Sequence, residues 1–235
     1  MLIKMKNLNI FSLAAEYENA KSGGILNVPN VSFVDEDSSI RYLLKNVLTH
    51  NGYEYVDLGL PSGLKWATCN VGATTPEEYG LYFAWGETTG YTAEQVPGVR
   101  AFDEASYTAS AISTNLKPEQ DAAHTYMGGK WHMPTKAEVK ELIDNCSRDL
   151  TYNYNGTGIK GRIFTSKVNG KSVFFPAAGH CRDSSVRSVG SHGYYWSASQ
   201  YSSYYAWSLS DSSGSMGLNY DKFRYCGYSV RGVFK

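Results

Sequence analysis

The sequence predicts an α+β domain of mixed and antiparallel strands with two or more short helices, ending in a C-terminal hairpin plus a final strand. Three observations lead there. In "RIFTSKVNGKSVFFPAAG" the dipeptide Asn169-Gly170, favoured by a type I′ turn, sits between arms rich in β-branched and aromatic residues. In "MPTKAEVKELIDNC" Thr135 and Glu138 have the spacing of a capping box, and Val139, Leu142 and Ile143 give the helix that follows one apolar face. In residues 206–219 alternation sends Trp207 and Leu209, then Met216 and Leu218, to one side of a hairpin. Ser208, Ser210, Ser215, Gly217 and Asn219 fall on the other, as a floor of small polar groups.

From the N-terminus, residues 1–50 read as a segment apart, suited to attachment or oligomerisation, or to a simple structural lead-in. Their opening, "MLIKMKNLNIFSLAAEY", is basic with a short apolar run whose approach Asn7 and Asn9 interrupt, so no signal peptide is expected. "ILNVPNVSFV" reads as extended. In "SSIRYLLKNVLTH" Ile40, Leu43, Leu44, Val47 and Leu48 stand at helical spacing behind Asp37 and Ser38 as caps, which predicts a helix. Residues 51–235 make the main domain. "YEYVDLGLPSGLKWATCNVGA" predicts two strands around a Pro-Ser-Gly turn. "TTPEEYG" predicts a short helix with Thr75 as cap, Pro76 in the first turn and Glu78 closing a capping box. Residues 88–118 are polar with few anchors and are expected to form a surface loop. A short helix should end at Gly128 and Gly129, and Pro176 should end the second arm of the Asn-Gly hairpin. Arg231 in "SVRGV" should point opposite to Val230 and pair with a carboxylate inside the fold.

The chain of 235 residues is long enough to bury a sizeable core in one main domain. Its charged fraction is low at 19%, while 19 tyrosines make it a tyrosine-rich globular protein. Net charge is zero and no cluster of lysine or arginine stands out, which excludes nucleic acid as the main partner. No apolar run approaches a membrane span, so no direct membrane insertion is expected. Cys69, Cys146, Cys181 and Cys226 lack C-x-x-C spacing and read as free thiols.

Candidate chemistry is sparse. Asp121 and His124 could share a metal, but nothing in the sequence places a third ligand, and Asp121 reads as a helix cap. No clustered run of Asp, Asn and Glu suits calcium. Neither metal nor cofactor is expected. His180 and Cys181 invite a thiol–imidazole reading, but strand neighbours point to opposite faces, so Cys181 reads as a buried structural thiol. G-x-S-x-G, Walker A and H-E-x-x-H motifs are missing from the sequence, and an enzyme is not expected.

Taken together, "VDLGLPSGLKWATCNVGA", "YGLYFAWGE", "GGKWHMPTKAEVKELI", "FFPAAGH", "YYWSAS" and "SVRGV" resemble the C-type-lectin-fold domains of gut Bacteroidetes and their phages. That group is similar to the Fibrobacter major paralogous domain and, more remotely, to the formylglycine-generating-enzyme fold. The resemblance runs over residues 53–234 and implies a C-type lectin fold. The cysteine pair of the formylglycine-generating relatives is not found in that arrangement, so their oxidase activity is not carried over. The tail resembles the variable region of proteins diversified by retroelements, in which asparagine codons become tyrosine, serine, aspartate, glycine, cysteine or phenylalanine codons. Such a region would span about residues 194–228, with Trp207, Met216 and Lys222 as fixed scaffold; Trp196 also reads as scaffold.

Residues 201–228 hold seven serines and six tyrosines, a composition closer to an antibody paratope than to an ordinary hairpin. The candidate ligand contacts are Tyr201, Ser203, Tyr204, Tyr205, Ser208, Ser210, Asp211, Ser213, Ser215, Asn219, Tyr220, Asp221, Phe223, Tyr225, Cys226 and Tyr228. The function expected is a ligand- or receptor-binding protein with a diversified C-terminal surface. Its partner would be a protein or glycan receptor on a bacterial surface, and the resemblance implies a place on a phage tail and a homo-oligomer, a trimer by family analogy. A second reading is a fixed-ligand adhesin or structural surface module of a Bacteroides-like cell, and a third is a formylglycine-generating-type enzyme.

Overall fold

The computed structural model describes residues 31–36, 39–44, 48–109, 114–212 and 215–235. The chain divides into two units, before and after Thr49. In the first, strands β1 (Val31–Glu36) and β2 (Ser39–Leu44) pair antiparallel, from Val31 with Leu44 to Glu36 with Ser39. The helix expected across residues 40–48 is therefore a strand in its described part; the caps Asp37 and Ser38 lie outside the described residues. A short apolar run fits either period, and here backbone pairing with the preceding strand β1 decides.

The second unit opens with β3 (Thr49–His50), β4 (Tyr53–Asp57) and β5 (Lys65–Ala67), which join β14 (Val233–Phe234) in one antiparallel sheet of order β14-β5-β4-β3. The turn between β4 and β5 closes through Gly63 N–H donating to the Leu60 carbonyl at 2.8 Å, as the Pro-Ser-Gly signal requires. Residues 74–80 form only a turn, not the helix expected. The Glu78 carboxylate does accept from the N–H groups of Thr74 (2.6 Å) and Thr75 (3.3 Å), but the chain is then drawn away, with Leu81 N–H donating to the Val71 carbonyl. Residues 88–109 are irregular yet anchored. Val96 of a short helix α1 (Val96–Val99) and Phe102 are buried with Tyr82, Ala84 and Cys181, and Phe102 exchanges both backbone hydrogen bonds with Asp183.

Helices α2 (Ala122–Met127) and α3 (Lys136–Asn145) start where their caps predict. Asp121 accepts from His124 N–H at 2.9 Å and from Met133 N–H at 2.8 Å, while Thr135 and Glu138 form the reciprocal capping box. Strands β6 (Cys146–Thr151), β7 (Gly161–Ser166) and β8 (Ser172–Pro176) form an antiparallel sheet. The β7–β8 hairpin is as expected, but its turn is not type I′, because only Gly170 has positive φ (71°). The Asn169 amide instead donates to the Asp57 carbonyl, and the Ser166 hydroxyl accepts from Val168 and Asn169 N–H, so side chains close a longer loop. Strands β9 (His180–Arg182) and β10 (Ser185–Arg187) make a small hairpin. Strands β11 (Tyr194–Gln200), β12 (Tyr205–Ser212) and β13 (Ser215–Phe223) make the sheet that carries the tail.

Apolar face residues Val139 and Leu142 of α3 pack with Tyr195, Leu209 and Met216, which fixes one side of that sheet to the helix. A second core gathers Trp85, Trp131, Trp196 and Tyr228. Arg231 is fully buried as a structural residue, but among the described residues no carboxylate pairs with it. Its guanidinium donates to Asn70 Oδ1, to the carbonyls of Ala67 and Thr68, and to that of Phe174. All four cysteines are free thiols. Among the described residues no helix is long and apolar enough to cross a membrane.

Candidate functional site

The β11-β12-β13 sheet shifts register at two points, between Trp196 and Gln200 of β11 and in β13 opposite Trp207. Ala206 pairs with Lys222 and Ser208 with Asn219, so Trp207 faces two residues of β13 where one is normal. Such a bulge bends its strand and increases its twist. Tyr220 comes to lie against Trp207, with ring centroids 5.3 Å apart, and Tyr201 joins them at 5.5 Å from Trp207 and 4.6 Å from Tyr220. Lys136, the first residue of α3, places its Nζ 3.8 Å from the Trp207 ring centre, a close cation–π contact. Tyr201 and Tyr220 are each 50% exposed and neighbouring Tyr204 is 64% exposed. Trp207 is half-buried and helps form this surface; the reading of it as pure scaffold is corrected.

A second aromatic group lies at the open end of the hairpin, where Tyr205 precedes Trp207 by two residues. Tyr205 pairs with Phe223, their rings 4.8 Å apart, and Phe223 stacks on Tyr225 at 5.0 Å. The Arg182 guanidinium stands 5.6 Å from the Phe223 ring. Close by, Tyr194 meets His180 edge-on at 4.8 Å, with His192 at 6.3 Å and the Lys222 ammonium at 5.9 Å.

The predicted contacts thus separate by burial. Tyr201, Ser203, Tyr204, Ser215 and Tyr220 are exposed, and Tyr205, Asn219, Phe223 and Tyr225 are half-buried. Ser213 lies outside the described residues, and Asp221 is described only as a backbone position in β13. Ser208, Ser210, Cys226 and Tyr228 are corrections: all four are buried and offer nothing to a partner. Directly opposed residues of antiparallel strands share a face, so Ser208 lies beside Trp196 and Ser210 beside Tyr194. The serines are small because large rings fill that face, not because solvent does. Asn219 Nδ2 donates to Ser210 Oγ at 2.9 Å, whereas Ser208 Oγ has no hydrogen-bond partner. Tyr228 stacks on Trp196 at 4.1 Å, and burial pushes the Cys226 thiol up to about 11. Asp211 is also a correction, because it pairs with Arg162 at 3.2 Å with both side chains about nine-tenths buried. Gly227 belongs to the scaffold too, since a Cβ there would stand 2.6 Å from the Phe102 ring.

Several contributors escape sequence reasoning. Arg224 is buried, donates from Nε to the Tyr107 hydroxyl and from Nη1 to the Ser203 carbonyl, both at 2.9 Å, and lies 4.7 Å over Trp85. Its own N–H donates to the Tyr204 carbonyl, so it clamps the loop that displays Tyr201 and Tyr204. The one available signal was an arginine isolated among tyrosines and serines. Lys136, His180, Arg182 and His192 lie far away in sequence and gave no signal.

His180 carries an electrostatic consequence. Burial first, then the charges of Arg187, Lys222, Arg182 and His192, push its imidazole down from 6.5 to about 4. The unfolded chain therefore binds this proton first. Stability linked to His180 is full above about pH 6.5 and is lost as pH falls to about 4, below which both states are protonated. His180→Gln should flatten the fall in urea midpoint between those values relative to the unaltered chain, and a difference that does not vary with pH would contradict this.

A family model described as a domain of unknown function (DUF8237) matches residues 158–233, about a third of the chain, from the approach to β7 into β14. Neither the curated proteins nor the solved structures contain a match.

Proposed function

We propose that this protein binds a ligand through the β12–β13 hairpin and the loop at residues 201–204, with the exposed rings as its main contacts. The observation that carries the reading is the cluster of Tyr201, Trp207 and Tyr220, with the Lys136 cation over the Trp207 ring and Tyr204 exposed nearby in the chain. Clustered exposed aromatics are uncommon on a surface without a partner, and tyrosine and tryptophan dominate the energetic centres of binding surfaces. Arg224 and the α3 packing hold the backbone beneath, so the rings are presented with little ordering left to do. The resemblance of the sequence to diversified C-type-lectin-fold proteins supports a bacterial-surface molecule as the partner and a phage tail as the setting.

A photo-crosslinking residue placed at 204 and, separately, at the equally exposed position 152 tests this against a bacterial envelope fraction. Adducts should form from 204 and not from 152. Adducts from neither position, or equally from both, would count against the reading.

A further inference from the structure

The β9–β10 hairpin pairs His180 with Arg187 and Arg182 with Ser185, so alternation places His180, Arg182 and Arg187 on one face and Cys181 and Val186 on the other. The second face is accounted for, since Cys181 and Val186 pack with Tyr82, Ala84 and Phe102. The first face meets the tail: His180 touches Tyr194, Arg182 stands over Phe223, and Lys222 approaches Tyr194 from β13. His192 completes the group from the chain entering β11. Four basic side chains, from β9, β13 and the loop before β11, thus stand beside Tyr194 or Phe223, and Arg187 of β10 joins them opposite His180, in a chain of zero net charge. Arg187 pairs with Asp183 at 3.0 Å, with both side chains about half exposed, an arrangement that water and salt screen. His180 Nδ1 is buried and has no hydrogen-bond partner.

We propose that His180, Arg182, Arg187 and His192, gathered around Tyr194 and Phe223, form a subsite for the carboxylate, sulfate or phosphate group of an acidic saccharide. This deepens the binding reading above and rests on it. One feature favours a sugar carrier: the rings of Tyr205, Phe223 and Tyr225 supply apolar faces for a pyranose beside the cations. The arginines present forked donors that match an oxyanion bidentately. Conversely, a bound anion would offset the positive charges that disfavour protonation of His180.

The test is NMR titration of the full chain with sodium sulfate at constant ionic strength, following the imidazole protons of His180 and His192. The expected result is a saturable shift of both, an upward move of the His180 pKa, and at least tenfold weaker binding in Arg182→Ala/Arg187→Ala with melting unchanged. A shift that never saturates, or one the double variant retains, would overturn the subsite. Glucuronate and N-acetylglutamate then separate the carriers, and glucuronate is expected to bind at least threefold more tightly. Equal or reversed affinities would overturn the saccharide assignment and point to an acidic peptide. Loss of crosslinking from position 204 with sulfate binding intact would instead remove the larger ligand reading and leave an isolated anion site.

Discussion

Replacing Arg231 with alanine should destabilise the domain by about 3–5 kcal/mol, the range for removing one partner from a buried charged network. The side chain is fully buried and donates to four acceptors on two separate stretches: Ala67, Thr68 and Asn70 at the end of β5 and just beyond it, and Phe174 in β8. It also lies 4.7 Å from the Phe175 ring. Removing the guanidinium leaves those acceptors in the core without water, each unsatisfied group costing about 1–3 kcal/mol, and opens a cavity. Arg231→Lys keeps the charge but cannot span acceptors on opposite sides of a planar fork, so it should recover less than half of the loss. Urea midpoints measure both. An alanine variant within about 1 kcal/mol of the parent would mean that the acceptors find other donors.

The second large effect concerns Asp211. By composition it belongs with the variable contacts, but in the fold it pairs with Arg162 and its other oxygen accepts from Gly193 N–H at 3.3 Å, tying β12 to β7 and to the start of β11. Asp211→Ala should cost about 3 kcal/mol, because the arginine is left charged and buried. Asp211→Leu combined with Arg162→Leu should recover much of that loss, since replacing a whole buried pair with apolar groups is often neutral. The cycle of single and double variants isolates the pair. Losses that simply add would show that the two residues act independently.

These two residues mark where the sequence stops being legible. Caps, turns and the hairpin register are local, so Thr135 with Glu138, Asp121, the β7–β8 arms and the β12–β13 hairpin could be read from a few neighbouring residues. Residues 39–44 and 75–79 were misread because backbone bonds between neighbouring segments overrode adequate helical signals, β1 with β2 and Leu81 with Val71. In the tail the alternation was right, but its meaning was not. A serine looks the same in a sequence whether it makes room for Trp196 or faces water, and only Tyr201, Ser203, Tyr204, Ser215 and Tyr220 are truly exposed among the described candidates. The bulge at Trp207, which builds the aromatic surface, adds one residue to one strand and carries no composition signal. The basic residues of β9 and β10 enter the site only because the fold brings that hairpin against the sheet.

The most direct test of the proposed surface compares whole-cell binding of fluorescently labelled protein carrying Tyr201→Ser, Tyr204→Ser and Tyr220→Ser with that of a Tyr152→Ser control. The triple variant should melt close to the parent, since exposed substitutions usually change stability by under about 0.5 kcal/mol each. It should nonetheless bind at least tenfold more weakly, while the control binds like the parent. Equal binding by all three proteins would place the contact surface elsewhere on the chain.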